Sequence, residues 1–362
     1  MNILITNFHL KDGGGHKTYI TYIVNFLKNN GINIYVASPR QSRLNSSLKR
    51  SYPNNVFDIE FPTKIKEISN LIRNILLLRK IIKIKNIDLI HVNGSPDHKV
   101  VSLTKWLFKF NYKIIRTKHD SFPIRNSYLN GILYSRYTNH LLLVSKFQEN
   151  ALRRDKNLLC ETTVIQNGID IDYYKPLKAN KHLRKKLNIS NGDFVMVSSA
   201  GTSEHKGWLF LYHALERLDQ EIKDRVKVVL IGNTPNFDSL RKYNLQNFIF
   251  TGYMEDVREY VSIANVGFVL SYKVETISYA CREMMAMAKP VIVSQYAGLP
   301  ENVKDNVDGW IVDTSDIDSI VNVIKKIFLK DLSKQSKNAR LKAEHSFDIK
   351  NKNIKLLDIY HG

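Results

Sequence analysis

Two glutamates, Glu275 and Glu283, stand eight positions apart in the run Glu275-Thr-Ile-Ser-Tyr-Ala-Cys-Arg-Glu283. The pattern places Glu275 in the loop after a strand and Glu283 about two turns into the helix that follows. A helix start between them presents unpaired backbone amides and a positive dipole end, which suits a phosphate. A carboxylate on that helix accepts from two adjacent ribose hydroxyls. The other is placed for sugar hydroxyls near a reacting carbon. Spacing alone favours a solvated Glu283 on a surface helix, as most glutamates are. Cys160 and Cys281 are the two cysteines, too far apart in sequence to suggest a disulfide framework or a CxxC metal site. No His/Cys cluster has metal-ligand spacing, so no metal is expected. Gly13-Gly14-Gly15 is not a GxGxxG followed by a ribose-binding acid, so a dinucleotide cofactor is not expected either.

These residues sit in a chain of 362 residues, which implies two domains. Hydrophobic residues are 43% and charged residues 24%, ordinary for a folded soluble protein. Short apolar strands alternate with amphipathic helices, which predicts parallel α/β sheets. Asn2 to Asn7 is the first strand, the glycine turn follows, and Thr18 to Asn29 is a helix closed by Gly31. Ile32 to Ser38, Asp88 to Val92, Lys113 to Thr117, Leu141 to Val144 and Val164-Ile165 are further strands. Tyr173 to Pro176 read as a linker. Alternation then restarts with Phe194 to Ser199, Val226 to Ile231, Phe248 to Thr251, Val266 to Leu270 and Pro290 to Ser294. Ligands of such units bind at the carboxyl ends of the strands, and a cleft between two of them is the natural active site.

The net charge is +20, and it is uneven: residues 1–170 hold 26 Lys and Arg against 11 Asp and Glu. An anionic partner or a generally basic proteome explains this equally well. Lys64 to Lys85 reads as a basic amphipathic helix with Ile65, Ile68, Leu71, Ile72, Ile75 and Leu76 on one face. Such a helix covers a sheet or lies on an anionic membrane. The longest apolar stretches are broken by Lys or Arg before spanning length, and Met1 to Phe8 reads as a buried strand and not a signal peptide. A cytosolic protein, peripheral at the inner face of the plasma membrane, is expected. Nucleic-acid binding has only the net charge behind it.

The surroundings of the two glutamates resemble the retaining glycosyltransferases of family 4, which have the GT-B fold. The Glu-seven-Glu run leads into Met284-Met285-Ala286-Met287-Ala288-Lys289 and the strand Pro290 to Ser294. Ala297-Gly298-Leu299-Pro300-Glu301 and Asp308-Gly309-Trp310 follow in the family manner. Phe250-Thr251-Gly252-Tyr253, Val269-Leu270-Ser271, Lys206-Gly207, Asn167-Gly168-Ile169-Asp170, His119-Asp120 and Gly13-Gly14-Gly15 also match. The resemblance runs from Asn2 to about Tyr360.

The resemblance implies two Rossmann-like domains facing across a cleft. Residues 1–172 would bind the acceptor and 173–345 the nucleotide-sugar, with a last helix near 346–362 crossing back to the first domain. It implies that Lys206 neutralises the leaving diphosphate, that Glu283 holds the ribose, and that Glu275 and His119 contact the transferred sugar. Gly14, Gly15, Gly201, Gly252, Tyr253, Thr276 and Ile277 would line the donor site, and His16, Lys17 and Asp120 the acceptor side. It implies metal-independent transfer with retention, from a nucleotide-sugar to a glycan or lipid-linked acceptor in bacterial lipopolysaccharide or surface polysaccharide synthesis. UDP is the commonest carrier among relatives, with GDP-mannose and ADP-heptose also open. The alternatives on the same scaffold are a catalytically weak nucleotide-sugar-binding protein or a sugar-nucleotide epimerase.

Asp170-Ile171-Asp172 and Asp316-Ile317-Asp318 spell DxD, the metal motif of the other large glycosyltransferase fold, and read as accidental here. Some positions depart from the family. Thr202 follows Gly201 where relatives carry an Arg shortly before the Lys, Ala288 stands where Gly is common, and His16-Lys17 follow the glycine turn where an acid is common.

Overall fold

The computed structural model describes residues 1–10, 14–62, 67–152, 160–235 and 240–362. Gly13 and the first residues expected of the basic helix, including Lys64 and Ile65, lie outside the described residues. Contacts divide the chain into two units. One comprises Met1–Gln166 with Lys350–Gly362, the other Asn167–Ile349.

In the first unit the strands are β1 (Asn2–Thr6), β2 (Asn33–Ser38), β3 (Val56–Asp58), β4 (Leu89–Val92), β5 (Lys113–Lys118), β6 (His140–Leu143) and β7 (Glu161–Val164). They alternate with α1 (Gly15–Asn29), α2 (Arg43–Ser51), α3 (Ile68–Ile84), α4 (Ser95–Phe108), α5 (Tyr128–Ile132) and α6 (Lys146–Leu152). The described strands form one parallel sheet in the order β3-β2-β1-β4-β5-β6-β7. Ile3, Leu4 and Ile5 of β1 and all four residues of β4 are buried, as strands covered on both faces require. The direction of winding reverses between β1 and β4. Their carboxyl ends therefore flank an open crevice, which is where such sheets take ligands.

The second unit repeats the plan with α7 (Lys181–Lys186), β8 (Phe194–Ser198), α8 (Trp208–Leu215), α9 (Gln220–Arg225), β9 (Val226–Leu230), β10 (Phe248–Phe250), α10 (Arg258–Ser262) and β11 (Val266–Val269). It continues with α11 (Tyr279–Ala286), β12 (Val291–Ser294), β13 (Gly309–Val312), α12 (Ile317–Ile327) and α13 (Ser333–Ser346). The order β10-β9-β8-β11-β12-β13 puts this unit's switch point between β8 and β11. The last helix, α14 (Ile349–His361), buries Asn353, Leu356 and Tyr360, and the Tyr360 hydroxyl meets His91 Nδ1 at 2.5 Å inside the first unit.

The stretch expected as a linker is packed into the second unit. Ile171 and Tyr174 lie against its core, and Arg340 donates to the carbonyls of both. Asp170 caps the turn there by accepting from the amides of Asp172 and Tyr173, and Asp316 caps α12. Both DxD triplets thus have backbone-capping work.

The face expected for the basic helix needs correction. Asn74, Ile75, Leu78, Ile81 and Ile82 of α3 are buried, while Ile68, Ile72 and Leu76 are exposed. Apolar residues encircle this helix, so periodicity alone selects a face rotated from the one the sheet covers.

Candidate active site

Lys206 ends a short 3₁₀ turn, Glu204–Lys206, just beyond the carboxyl end of β8. Gly207 follows with φ +74°, and a Cβ there would stand 1.9 Å from the Leu270 carbonyl oxygen. Only glycine lets the chain pass so close to the end of β11. Tyr272 N donates to His205 O at 3.2 Å, fastening the two loops together. Across this junction Lys206 Nζ meets Glu275 Oε2 at 2.8 Å, and Ser271 Oγ also donates to that oxygen at 3.4 Å. An ammonium–carboxylate pair therefore spans the switch point of the second unit. Its two side chains keep 20% and 15% of their surface exposed, so a ligand can reach them. Burial, then the Lys206 charge, hold the neighbouring His205 below its ordinary range, and Lys273 adds to this.

The structure places Gly201, Gly232 and Thr202 on the same rim. A Cβ on Gly232 would lie 2.8 Å from Gly201 Cα, so the two glycine loops are in contact. Thr202 is buried; its hydroxyl donates to the Asn233 carbonyl and its carbonyl accepts from Trp208 Nε1 at 2.9 Å. It closes the loop where an arginine was absent from the sequence pattern. Gly252 has φ +78°, with Tyr253 exposed beside it.

Helix α11 is capped by Ser278, whose hydroxyl accepts from Cys281 N at 3.3 Å. Glu283 is thus little more than one turn from the start, nearer than expected, because Thr276 and Ile277 belong to a buried, non-helical approach. Glu283 is half-buried and hydrogen-bonded to Tyr174. Burial pushes its carboxyl up to about 7, against a smaller opposing effect of Tyr174. Next to it, Arg282 is fully buried. It donates to Asn302 Oδ1 at 2.8 Å and to the Asn167 carbonyl, and stacks on Phe347 at 4.3 Å. Arg282 ties the helix bearing Glu283 to the segment where the chain enters this unit.

In the first unit, the glycine turn and His119 converge at the β1/β4 crevice. Gly14 is the N-cap of α1 with φ +46° and nothing within 4 Å of a built Cβ; Gly15 opens the helix. The His16 ring lies 4.1 Å from His119, 4.4 Å from His9, and Tyr19 lies 4.7 Å from His119. Burial pushes His16 down to about 3 and holds His119 well below its ordinary range. Lys17 is half-buried in the same first turn. Asp120 is committed locally: its carboxylate pairs with Lys118 and caps Phe122 N at 3.1 Å.

Asn93 was not singled out in the sequence, yet it orients His119. Its Nδ2 donates to Thr6 O at 3.0 Å, which turns Oδ1 toward His119 Nε2 at 2.9 Å. Since Oδ1 only accepts, the neutral ring carries its proton on Nε2. Asp97 holds this loop, accepting at Oδ2 from Thr6 Oγ1 at 2.5 Å and Asn93 N at 2.8 Å. In sequence, Asn93 stands just past the strand Asp88 to Val92 and belongs to no motif. Among the described residues no group of three or more His, Cys, Asp or Glu is placed to hold a metal ion.

Residues 13–173 match the model described as Glycosyltransferase Family 4, and residues 179–345 that of Glycosyl transferases group 1. An Escherichia coli protein described as UDP-Gal:alpha-D-GlcNAc-diphosphoundecaprenol alpha-1,3-galactosyltransferase is 24% identical over 320 residues, 83% of this chain and 82% of its own length. The Salmonella typhimurium lipopolysaccharide 1,2-N-acetylglucosaminetransferase is 25% identical over 45% of this chain and 46% of its own. The structure of Anabaena HepE in complex with UDP and glucose superposes with a TM-score of 0.82 at 19% identity, covering 100% of this chain and 99% of that one. With both sheets, both switch points and both family models in agreement, the chain belongs to the family 4 glycosyltransferases of GT-B fold and is a glycosyltransferase.

Proposed function

We propose that this enzyme transfers a sugar, with retention, from a UDP-sugar to a saccharide or lipid-linked acceptor in bacterial lipopolysaccharide or surface polysaccharide synthesis. The observation that carries the reading is the Lys206–Glu275 pair at the β8/β11 switch point, with Glu283 on the helix that follows. In the donor complex Lys206 exchanges Glu275 for the diphosphate. The bond from the anomeric carbon to the phosphate oxygen breaks, negative charge builds on that oxygen, and a fixed ammonium stabilises it most at that moment. The acceptor hydroxyl attacks from the same face and its proton passes to the departing phosphate, so no second carboxylate and no metal is required. Glu275, freed from Lys206, hydrogen-bonds the sugar hydroxyls, Glu283 accepts from the ribose, and neutral His119 is the hydrogen-bonding group that the first unit brings to its own substrate. The second unit holds the donor and the first the acceptor.

Two relatives support the chemistry. The Escherichia coli protein is described as using UDP-Gal and a diphosphoundecaprenol-linked sugar, and the HepE structure holds UDP. Among the described residues no helix is long and apolar enough to cross a membrane, and the enzyme works as a peripheral protein at the inner membrane face. The test is nucleotide release from a panel of nucleotide-sugars with polyprenyl-diphosphate acceptors. UDP release with formation of an α-linked glycoside is expected. Absence of turnover, with donor binding unchanged in Glu283→Ala, removes the reading.

Thr202 supports a second reading, a nucleotide-sugar-binding protein that has lost transfer. Its hydroxyl is tied to Asn233 where a second phosphate-binding cation is missing. A single-turnover assay decides between them, because product formed at any rate excludes a purely binding role.

A further inference from the structure

The outward faces of α3 and α4 carry an apolar surface that the fold leaves uncovered. Ile68, Ile72, Leu76, Leu77 and Ile84 of α3 and Trp106 and Leu107 of α4 are each between 37% and 61% exposed. The inward faces of the same helices are spent on the sheet: Ile75, Leu78, Ile81, Ile82, Val100 and Val101 all belong to one buried cluster. The two helices are neighbours on that layer, joined where the Arg79 guanidinium stacks on the Phe108 ring at 4.7 Å. Their exposed side chains therefore form one surface. Soluble monomers rarely leave so many large apolar groups contiguous without use.

Charge identifies the occupant. Across Ile68–Ile84 there are four cations, Arg73, Arg79, Lys80 and Lys83, and no acid. On α4, Lys99 is exposed, while its acid, Asp97, is buried and hydrogen-bonded to Thr6 and Asn93. Apolar groups interleaved with cations fit a layer whose headgroups are anionic and whose interior is hydrocarbon. A second copy fits poorly, because a two-fold contact would set this cationic face against itself.

We propose that this α3/α4 surface docks on an anionic phospholipid bilayer, with Ile72, Leu76 and Trp106 in the headgroup–acyl boundary and Arg73, Lys80 and Lys83 against the phosphates. Docking deepens the peripheral-membrane part of the function proposed above and rests on it, but not on which sugar is moved.

The experiment is sedimentation of the full chain with phosphatidylcholine vesicles, alone or with about one third phosphatidylglycerol, in the absence of donor and acceptor. Binding to the anionic vesicles is expected, falling with added salt. Ile72→Asn with Leu76→Asn is expected to weaken it by at least about tenfold, and Lys80→Glu with Lys83→Glu to remove the salt-dependent part. Both double variants, being on the exposed face, are expected to keep the wild-type melting temperature and its rise with UDP. Equal binding by wild type and variants overturns the assignment, as does binding that ignores headgroup charge. A wild-type dimer that the Ile72/Leu76 variant dissociates also overturns it, assigning the surface to self-association. Transfer to a water-soluble acceptor is measured in parallel. If vesicle binding fails while transfer proceeds, docking alone falls; if vesicles bind and no transfer occurs, the catalytic reading falls instead.

Discussion

Glu283 is an acid kept where its charge is unfavourable. Its folded value of about 7 lies above the ordinary carboxylate range, so the native state binds the proton more tightly than the unfolded chain. Stability therefore falls as pH rises from roughly 4.5 to 7, by up to about 3 kcal/mol. Glu283→Gln is expected to raise the melting temperature of the ligand-free protein above pH 7 and to abolish the further rise on adding UDP. A variant that melts lower and still responds to UDP would show that Glu283 is structural. If ribose hydroxyls donate to the ionised carboxylate, nucleotide binding near pH 6.5 also releases a proton, seen as a buffer-dependent binding enthalpy.

Lys206 and Asn93 make contrasting cases. Lys206→Ala removes the charge that faces the departing diphosphate, so kcat is expected to fall on the order of 10²–10³-fold, with a smaller change in donor affinity. Asn93 acts through His119. Asn93→Asp sets a carboxylate against the Nε2 proton, raising the imidazole's titration toward neutrality. The expected signature is a new acidic limb in the pH profile of kcat, with little change in KM. An unaltered profile would mean that Asn93 only packs.

At the scale of elements, two helices end in the same way with different residues. After α1, Gly31 N donates to Lys28 O and Ile32 N to Leu27 O, with Gly31 at φ +72°. After α11, Ala288 N donates to Met285 O and Lys289 N to Met284 O, with Ala288 at φ +58°. Both are Schellman caps, but alanine in the left-handed region costs roughly 1 kcal/mol. Ala288→Gly is expected to stabilise the second unit by about that amount, measured by denaturant unfolding. The departure from the family pattern at Ala288 was visible in sequence; its meaning as strain required the dihedral angle. Helix α3 teaches the converse. Its existence was plain from apolar periodicity, but with apolar side chains all round only the sheet could choose which stripe to bury.

For the whole molecule, the buried His16 and His91 of the first unit and Glu283 of the second respond to pH with opposite sign. In the first unit His16 and His91 are each pushed down by burial to about 3, so each releases its proton on folding. Their contribution is present above pH 6.5 and is lost as pH falls below it, at up to about 1.4 kcal/mol per pH unit for each. In the second unit protonation of Glu283 removes an unfavourable charge over part of the same range. Calorimetry at pH 5 is expected to separate the transitions, the first unit melting at the lower temperature. A single transition with unchanged width from pH 5 to 8 would contradict this.

The alternation of strands and helices, the glycine turns and the Glu275–Glu283 run were legible from residues alone, because each is a local pattern with a local cause: pleat, helical pitch or a backbone that tolerates only glycine. Two parallel sheets and the family followed from them. The partners of those residues were not legible. Lys206 meets Glu275 across 69 positions, Asn93 reaches His119 across 26, and Arg282 reaches Asn167 across 115. Such pairs arise only when the fold brings segments distant in sequence together. Burial, which sets the proton on Glu283 and the neutrality of the histidines, likewise depends on what the fold packs around a group and on nothing in its neighbours along the chain.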